Sequence, residues 1–154
     1  MGLAPCIISF VLGLLAIDMF CDHYLFVSTS LSSEQLQTCT SYYQNAFRQP
    51  WYTSLTTLAP ILIGALIMLR NIVRTIYDTL SVPVFLGVVA IFILKIQKSI
   101  ESISVDLQAN DKTKEKYLRE IADNHAIIGG LLIVLLILQI LAEKRVHNLK
   151  KKQA

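Results

Sequence analysis

Residues 126–142 read AIIGGLLIVLLILQILA, from Ala126 to Ala142, without one charged side chain. The flanking charges are Asp123 before the run and Glu143 after it. A hydrocarbon core of ~30 Å takes about 20 largely apolar residues per helix. No water is present there to satisfy a backbone amide, so an apolar run of this length has to be helical. Outward from this stretch the same pattern recurs: no charge precedes Asp18, none lies between Arg48 and Arg70, and none lies between Asp78 and Lys95. Four transmembrane helices are therefore expected, at about residues 3–20, 51–69, 80–94 and 126–142. The fold predicted is an all-α membrane protein, a four-helix bundle occupying residues 1–142. Pro60 and Pro83 fall inside spans, where neighbouring helices and hydroxyls can cover the carbonyls that proline frees.

Bulk composition agrees. Of 154 residues, 54% are hydrophobic and only 16% charged, against about 25% charged in a soluble domain. Mean hydropathy is +0.55. The first span has no basic segment before it and no small-residue cleavage site after it, so it reads as a membrane helix rather than a signal peptide. Cys6 stands where N-myristoylation needs Ser or Thr.

An even number of spans puts both termini on one side with the loop 70–79. That side carries Arg70, Arg74, Lys144, Arg145 and Lys150–Lys152, seven basic residues, and the other side also carries seven. The positive-inside rule is thus balanced. The ending decides the orientation: Lys151-Lys152-Gln153-Ala154 has the K-K-x-x form of a retrieval address, which a retrograde vesicle coat reads from the cytosol. Juxtamembrane lysines drawn to anionic cytoplasmic lipid are the alternative, and they place the tail on the same side. Residues 143–154 are therefore read as a basic cytosolic tail with Lys151 and Lys152 as retrieval signal, and residues 21–50 and 96–125 as lumenal.

The first lumenal segment holds Cys21 and Cys39. The ER lumen permits a disulfide between them; two reduced thiols are the alternative reading. No C-x-x-C is present, so thiol-redox catalysis lacks its motif. Tyr24, Tyr42, Tyr43, Trp51 and Tyr52 read as an aromatic belt at the headgroup level. In the second segment Ile96, Ile100, Ile103 and Leu107 recur at helical spacing, Ala109-Asn110-Asp111 supplies a turn, and Glu115–Arg119, Lys116–Glu120 and Arg119–Asp123 are opposite-charge pairs four residues apart. A helical hairpin projecting into the lumen between the third and fourth spans is expected.

Catalytic chemistry finds little support. His23, His125 and His147 are far apart in sequence, and Asp22-His23 is a weak ligand pair. Asp18, within three residues of its span's end, reads as an interfacial or hydrogen-bonded acid. No phosphate loop, metal cluster or cofactor motif appears, and the short basic tail gives no nucleic-acid footprint. Helix-packing signals are clearer. Ala122, Ala126 and Gly130 form a small-residue ladder, and Gln139 can bond across a helix interface. Thr53, Thr56 and Thr57 add hydroxyls to the second span. These are the candidate contacts, to neighbouring helices of the bundle or to a client.

The exit of the first span, Cys21-Asp22-His23-Tyr24-Leu25-Phe26, resembles that of the fungal ER-membrane packaging chaperones of amino-acid permeases. So do Tyr42-Tyr43-Gln44 followed by Pro50, the stretch Lys95–Ile103, and Leu138-Gln139-Ile140. The resemblance implies four spans with cytosolic termini, no enzymatic activity, no cofactor, and polytopic permeases as clients shielded from aggregation in the bilayer. It also implies a longer cytosolic tail for loading exit vesicles, and this chain has only Glu143–Ala154 there. Two other readings fit the size: a structural subunit or cargo adaptor of an ER complex, and a four-helix glutathione-dependent membrane enzyme. Arg70, Asn71 and Arg74 are only fragments of the latter's signature.

Overall fold

The computed structural model describes residues 3–105 and 110–153, with residues 51–58 and 153 described as backbone only. Every described element is a helix: α1 (Leu3–Val27), α2 (Ser33–Arg48), α3 (Trp51–Asn71), α4 (Ile76–Ile91), a π-helical stretch (Phe92–Gln97), α5 (Lys98–Val105) and α6 (Asp111–Gln153). Three segments are long and apolar enough to cross a membrane: Leu3–Val27, Ile76–Val105 and Asp111–Lys152. Within α3 the apolar stretch Ala59–Asn71 is shorter.

The helices outrun the apolar runs that announce them. The first span was expected to end near residue 20, yet α1 continues to Val27. The third apolar run was expected over 80–94 with helical spacing continuing from Ile96, and α4, the π stretch and α5 follow one another from Ile76 to Val105. The last helix occupies 43 residues, about 65 Å at 1.5 Å per residue, roughly twice a hydrocarbon core. Charge ends an apolar run without ending a helix, because the backbone bonds are local. The basic tail is accordingly the last three turns of α6. Leu107 and Ala109, which the sequence placed in a stripe and a turn, lie outside the described residues.

α2 was not anticipated. It is an amphipathic helix set up by a capping box: the Gln35 amide donates to Ser32 Oγ at 3.2 Å, and the Ser32 amide donates to Gln35 Oε1 at 3.0 Å. Two otherwise orphaned donors are thereby satisfied. Its buried residues, Leu36, Cys39, Thr40 and Tyr43, recur at three- and four-residue spacing. Tyr42 and Tyr43, expected in a headgroup belt, thus belong to a packed interface.

α6 packs against α1 and α4, and α3 packs against the same two helices. The four form a ring in the order α6, α1, α3, α4. At one end α2 packs on α5, α6 and α1, making a helical cap. The core runs through both parts, from Ile8, Leu15 and Leu132 in the ring to Tyr43, Ile103, Leu118 and Ile121 in the cap. The π stretch lies where the ring gives way to the cap. Its wider turn leaves Ile96 wholly buried between exposed Lys95 and Gln97, in the manner of π bulges that re-aim a helix face.

Candidate functional site

Where α1, α2 and α6 meet at the capped end of the ring, polar groups are buried together. Asp22 on α1 has no exposed surface. Tyr43 of α2 donates its hydroxyl to Asp22 Oδ1 at 2.6 Å, and His125 of α6 sets Nδ1 2.6 Å from Oδ2. One carboxylate therefore joins three helices. A buried acid is tolerable only when paired and hydrogen-bonded, and this one has a partner for each oxygen. One helical turn earlier, Asp18 Oδ1 accepts from the Tyr42 hydroxyl at 2.6 Å. The two tyrosine rings meet edge to face with centroids 5.2 Å apart. Burial pushes both phenols well above their ordinary range, with the hydrogen bond to Asp18 next for Tyr42 and the Asp22 charge next for Tyr43. Both stay protonated and act as donors. Burial, and then Asp22, also raise the Cys39 thiol, which lies 3.4 Å from the Cys21 carbonyl oxygen.

The cap is tied down at two further points. Arg119 donates to the carbonyls of Leu25, Ser28 and Thr29 at 2.8, 3.0 and 3.0 Å while pairing with Glu115 at 2.7 Å. Its guanidinium thus satisfies the orphan Leu25 carbonyl in the last turn of α1 and those of Ser28 and Thr29 just beyond it, where the helix dipole also favours a cation. Gln44 donates to the Ile103 carbonyl at 3.2 Å, joining α2 to α5.

The opposite end of the ring repeats the device. Asp78 of α4 is 1% exposed and accepts from Thr75 Oγ1 at 2.8 Å and from Arg74 Nε at 3.2 Å. Gln139 of α6 donates to Ser81 Oγ at 2.9 Å and reaches Asp78 Oδ1 at 3.4 Å. α6 is thereby bonded to α1 through His125 and to α4 through Gln139, positions about 21 Å apart along its axis. Between them the ring leaves an open-sided cavity of ≈260 Å³ lined by Ile8, Leu15, Met68, Val88, Phe92 and Leu132, with Asp18, Gln97 and His125 as its polar residues.

A family model described as "ER membrane protein SH3", a chaperone family, matches residues 2–148. The chain belongs to this chaperone family. No curated protein and no solved structure matches it. Its family is one of ER membrane chaperones and not of enzymes, and its apolar helices suit that membrane. Among the described residues no group of three or more His, Cys, Asp or Glu side chains is placed to hold a metal ion.

In this ER membrane protein the sequence-derived candidates fall into distinct places. The ladder is split: Ala122 is buried, whereas Ala126 and Gly130 lie on the exposed face of α6, and a Cβ at Gly130 would meet nothing within 4 Å. The glycines at close approaches are others, Gly64 with Ile7 at 3.3 Å and Gly129 with Leu15 at 3.5 Å. Gln139 bonds within the ring, to α4. Thr53, Thr56 and Thr57 sit on the first turns of α3, and their side chains lie outside the described residues. Lys151 and Lys152 are exposed on the helical end of α6. Cys21 and Cys39 are brought together as free thiols. Asp22 and His23 are not a pair, since His23 is exposed while Asp22 is buried. The partnership of Asp22 with His125, separated by 103 residues, was missed, as was Asp78. A buried-border acid, an isolated histidine and a Tyr-Tyr pair in one chain were the available signals.

Proposed function

We propose that this chain is a four-span chaperone of the ER membrane that shields polytopic transporters, amino-acid permeases foremost, while they fold and leave the ER. α3, 21 residues long, is the fourth span in this reading. Both termini then face the cytosol, and α2, α5 and the first turns of α6 form a lumenal cap. The observation that carries the reading is the contrast between the two sides of the helices. The buried acids Asp22 and Asp78 are bonded inside the ring. The outward faces instead expose Phe10, Ile17, Leu62, Leu66, Ile133 and Ile137. On that apolar exterior Gly13, Ala126 and Gly130 are low points, and in lipid a helix can approach another closely only over such residues. A partly folded client helix has a seat there, made by packing rather than by permanent polar bonds, so that release remains easy.

Loss of the protein is expected to leave permeases aggregated in the ER while unrelated secretory cargo moves normally. Ala126→Leu with Gly130→Leu should reproduce that defect without altering the amount or location of the chaperone, because neither residue packs inside the ring. Normal permease export in the double variant would remove this face from the reading. Normal export in the deletion would overturn the client class.

A further inference from the structure

We infer that Cys21 and Cys39 form a disulfide latch between α1 and α2, closing the cap covalently over the polar residues of the cavity. The inference rests on the reading of residues 21–50 as lumenal, and it goes beyond the shielding role. Its basis is register. Asp18 and Asp22 flank Cys21 by three residues and one; Tyr42 and Tyr43 follow Cys39 by three and four. The Tyr42–Asp18 and Tyr43–Asp22 bonds, each 2.6 Å, therefore tie α1 on either side of Cys21 to the turn of α2 that follows Cys39. Beside these ties the Cys39 sulfur already rests 3.4 Å from the carbonyl oxygen of Cys21 itself. A disulfide needs its two Cα atoms within about 4.4–6.8 Å, and the sulfur–carbonyl contact puts the two residues side by side on adjacent helices. Cys6, the third cysteine, lies about 22 Å further along α1 and does not compete.

Exposure assigns the order of reaction. Cys21 is half-buried and Cys39 is wholly buried. The Cys21 thiolate attacks a disulfide donor of the lumen, glutathione disulfide or an oxidoreductase disulfide, and one donor thiolate leaves. The Cys39 thiolate then attacks the Cys21 sulfur of the mixed disulfide, and the second donor thiolate leaves. Two cysteine protons are released, the cysteines are oxidised and the donor is reduced by two electrons. Burial of Cys39 makes the second step slow once α2 has docked, so the bond forms as the cap closes.

The test uses full-length Cys6→Ser protein in microsomes, denatured in SDS with a maleimide–polyethylene glycol before and after reduction. No mass step without reductant and two steps with it are expected. Sidedness is read in parallel from Ser30→Cys in a background lacking the other three cysteines, labelled with an impermeant maleimide. If Ser30→Cys labels only after the membrane is opened, yet both native thiols react without reductant, the latch is wrong and the topology stands. If Ser30→Cys labels in intact microsomes, the segment is cytosolic and both readings fall. A second measurement separates the latch from mere proximity. In Tyr42→Phe with Tyr43→Phe, protease cleavage of α2 should rise roughly tenfold on reduction, since two hydrogen bonds to carboxylates are already gone. Equal cleavage with and without reductant would show that no covalent tie holds α2.

Discussion

Asp22 shows how much a single residue can organise. It has no solvent to stabilise its charge, so the groups that face it set the relative positions of three helices. His125 sets Nδ1 2.6 Å from Oδ2, and Tyr43 donates to the other oxygen. Removing one partner of a buried hydrogen bond leaves the other unsatisfied, which costs about 1–3 kcal/mol. His125→Ala should therefore lower the thermal stability of the detergent-solubilised protein by that order. Adding Asp22→Asn should restore part of the loss, because the unsatisfied carboxyl group is then gone. Denaturation midpoints of the two variants check this, and absence of any recovery would mean that His125 acts by packing alone.

Among the elements, α2 and α5 decide how the cap sits. α2 is short and polar on one face, and a helix of that kind depends on tertiary contacts more than on propensity. Its capping box starts it, and Tyr42, Tyr43 and Gln44 dock it against α1 and α5. Arg119 does the corresponding work for the end of α1, where three carbonyls share one guanidinium. Arg119→Gln should cost about 1.5–3 kcal/mol, the scale of hydrogen bonds to a charged group. The expected readout is faster amide exchange confined to residues 25–31 and the start of α2. Exchange spread evenly over the chain would indicate that Arg119 supports the whole bundle instead. The sequence showed Arg119 only as a member of charge pairs with Glu115 and Asp123. Its role as a cap needed the end of α1 beside it in space.

At the scale of the molecule, α6 is the common support. It borders two helices of the ring, carries one wall of the cap, and continues as a helix into the basic tail. The exposed Lys151 and Lys152 are thus presented on a rod rising from the bilayer rather than on a slack tether. If they are a retrieval address, Lys151→Ser with Lys152→Ser should move the protein to the Golgi or beyond. Immunolocalisation tests this, and an unchanged ER pattern would assign retention to the membrane domain. The proposed shielding function should be less affected than location, since the faces proposed for clients lie within the apolar part of the helices.

The sequence alone determined that the chain is helical and belongs in a membrane. Charge-free runs such as 126–142 leave no other way to satisfy the backbone in lipid, and this is a local requirement that needs no knowledge of the fold. It also carried the family likeness, in Cys21–Phe26 and Tyr42–Gln44, and the helical character of residues 96–105 and 111–125, whose periodicity is likewise local. Helix α2 was legible in principle, because Ser32 and Gln35 form a capping box ahead of Leu36, Cys39 and Tyr43, but its polar composition concealed it beside stronger apolar signals. Only the tertiary structure decided which polar residues meet. His125 finds Asp22 across 103 positions, and Gln139 finds Ser81 across 58. The same holds for the split of Ala122 from Ala126 and Gly130, since helical spacing alone does not say which side of α6 turns toward α1 and α4. A residue's spacing reports its place on its own helix; its partner depends on how the helices are wound together, and burial makes those pairings specific because an unpaired charge away from water is too costly to keep.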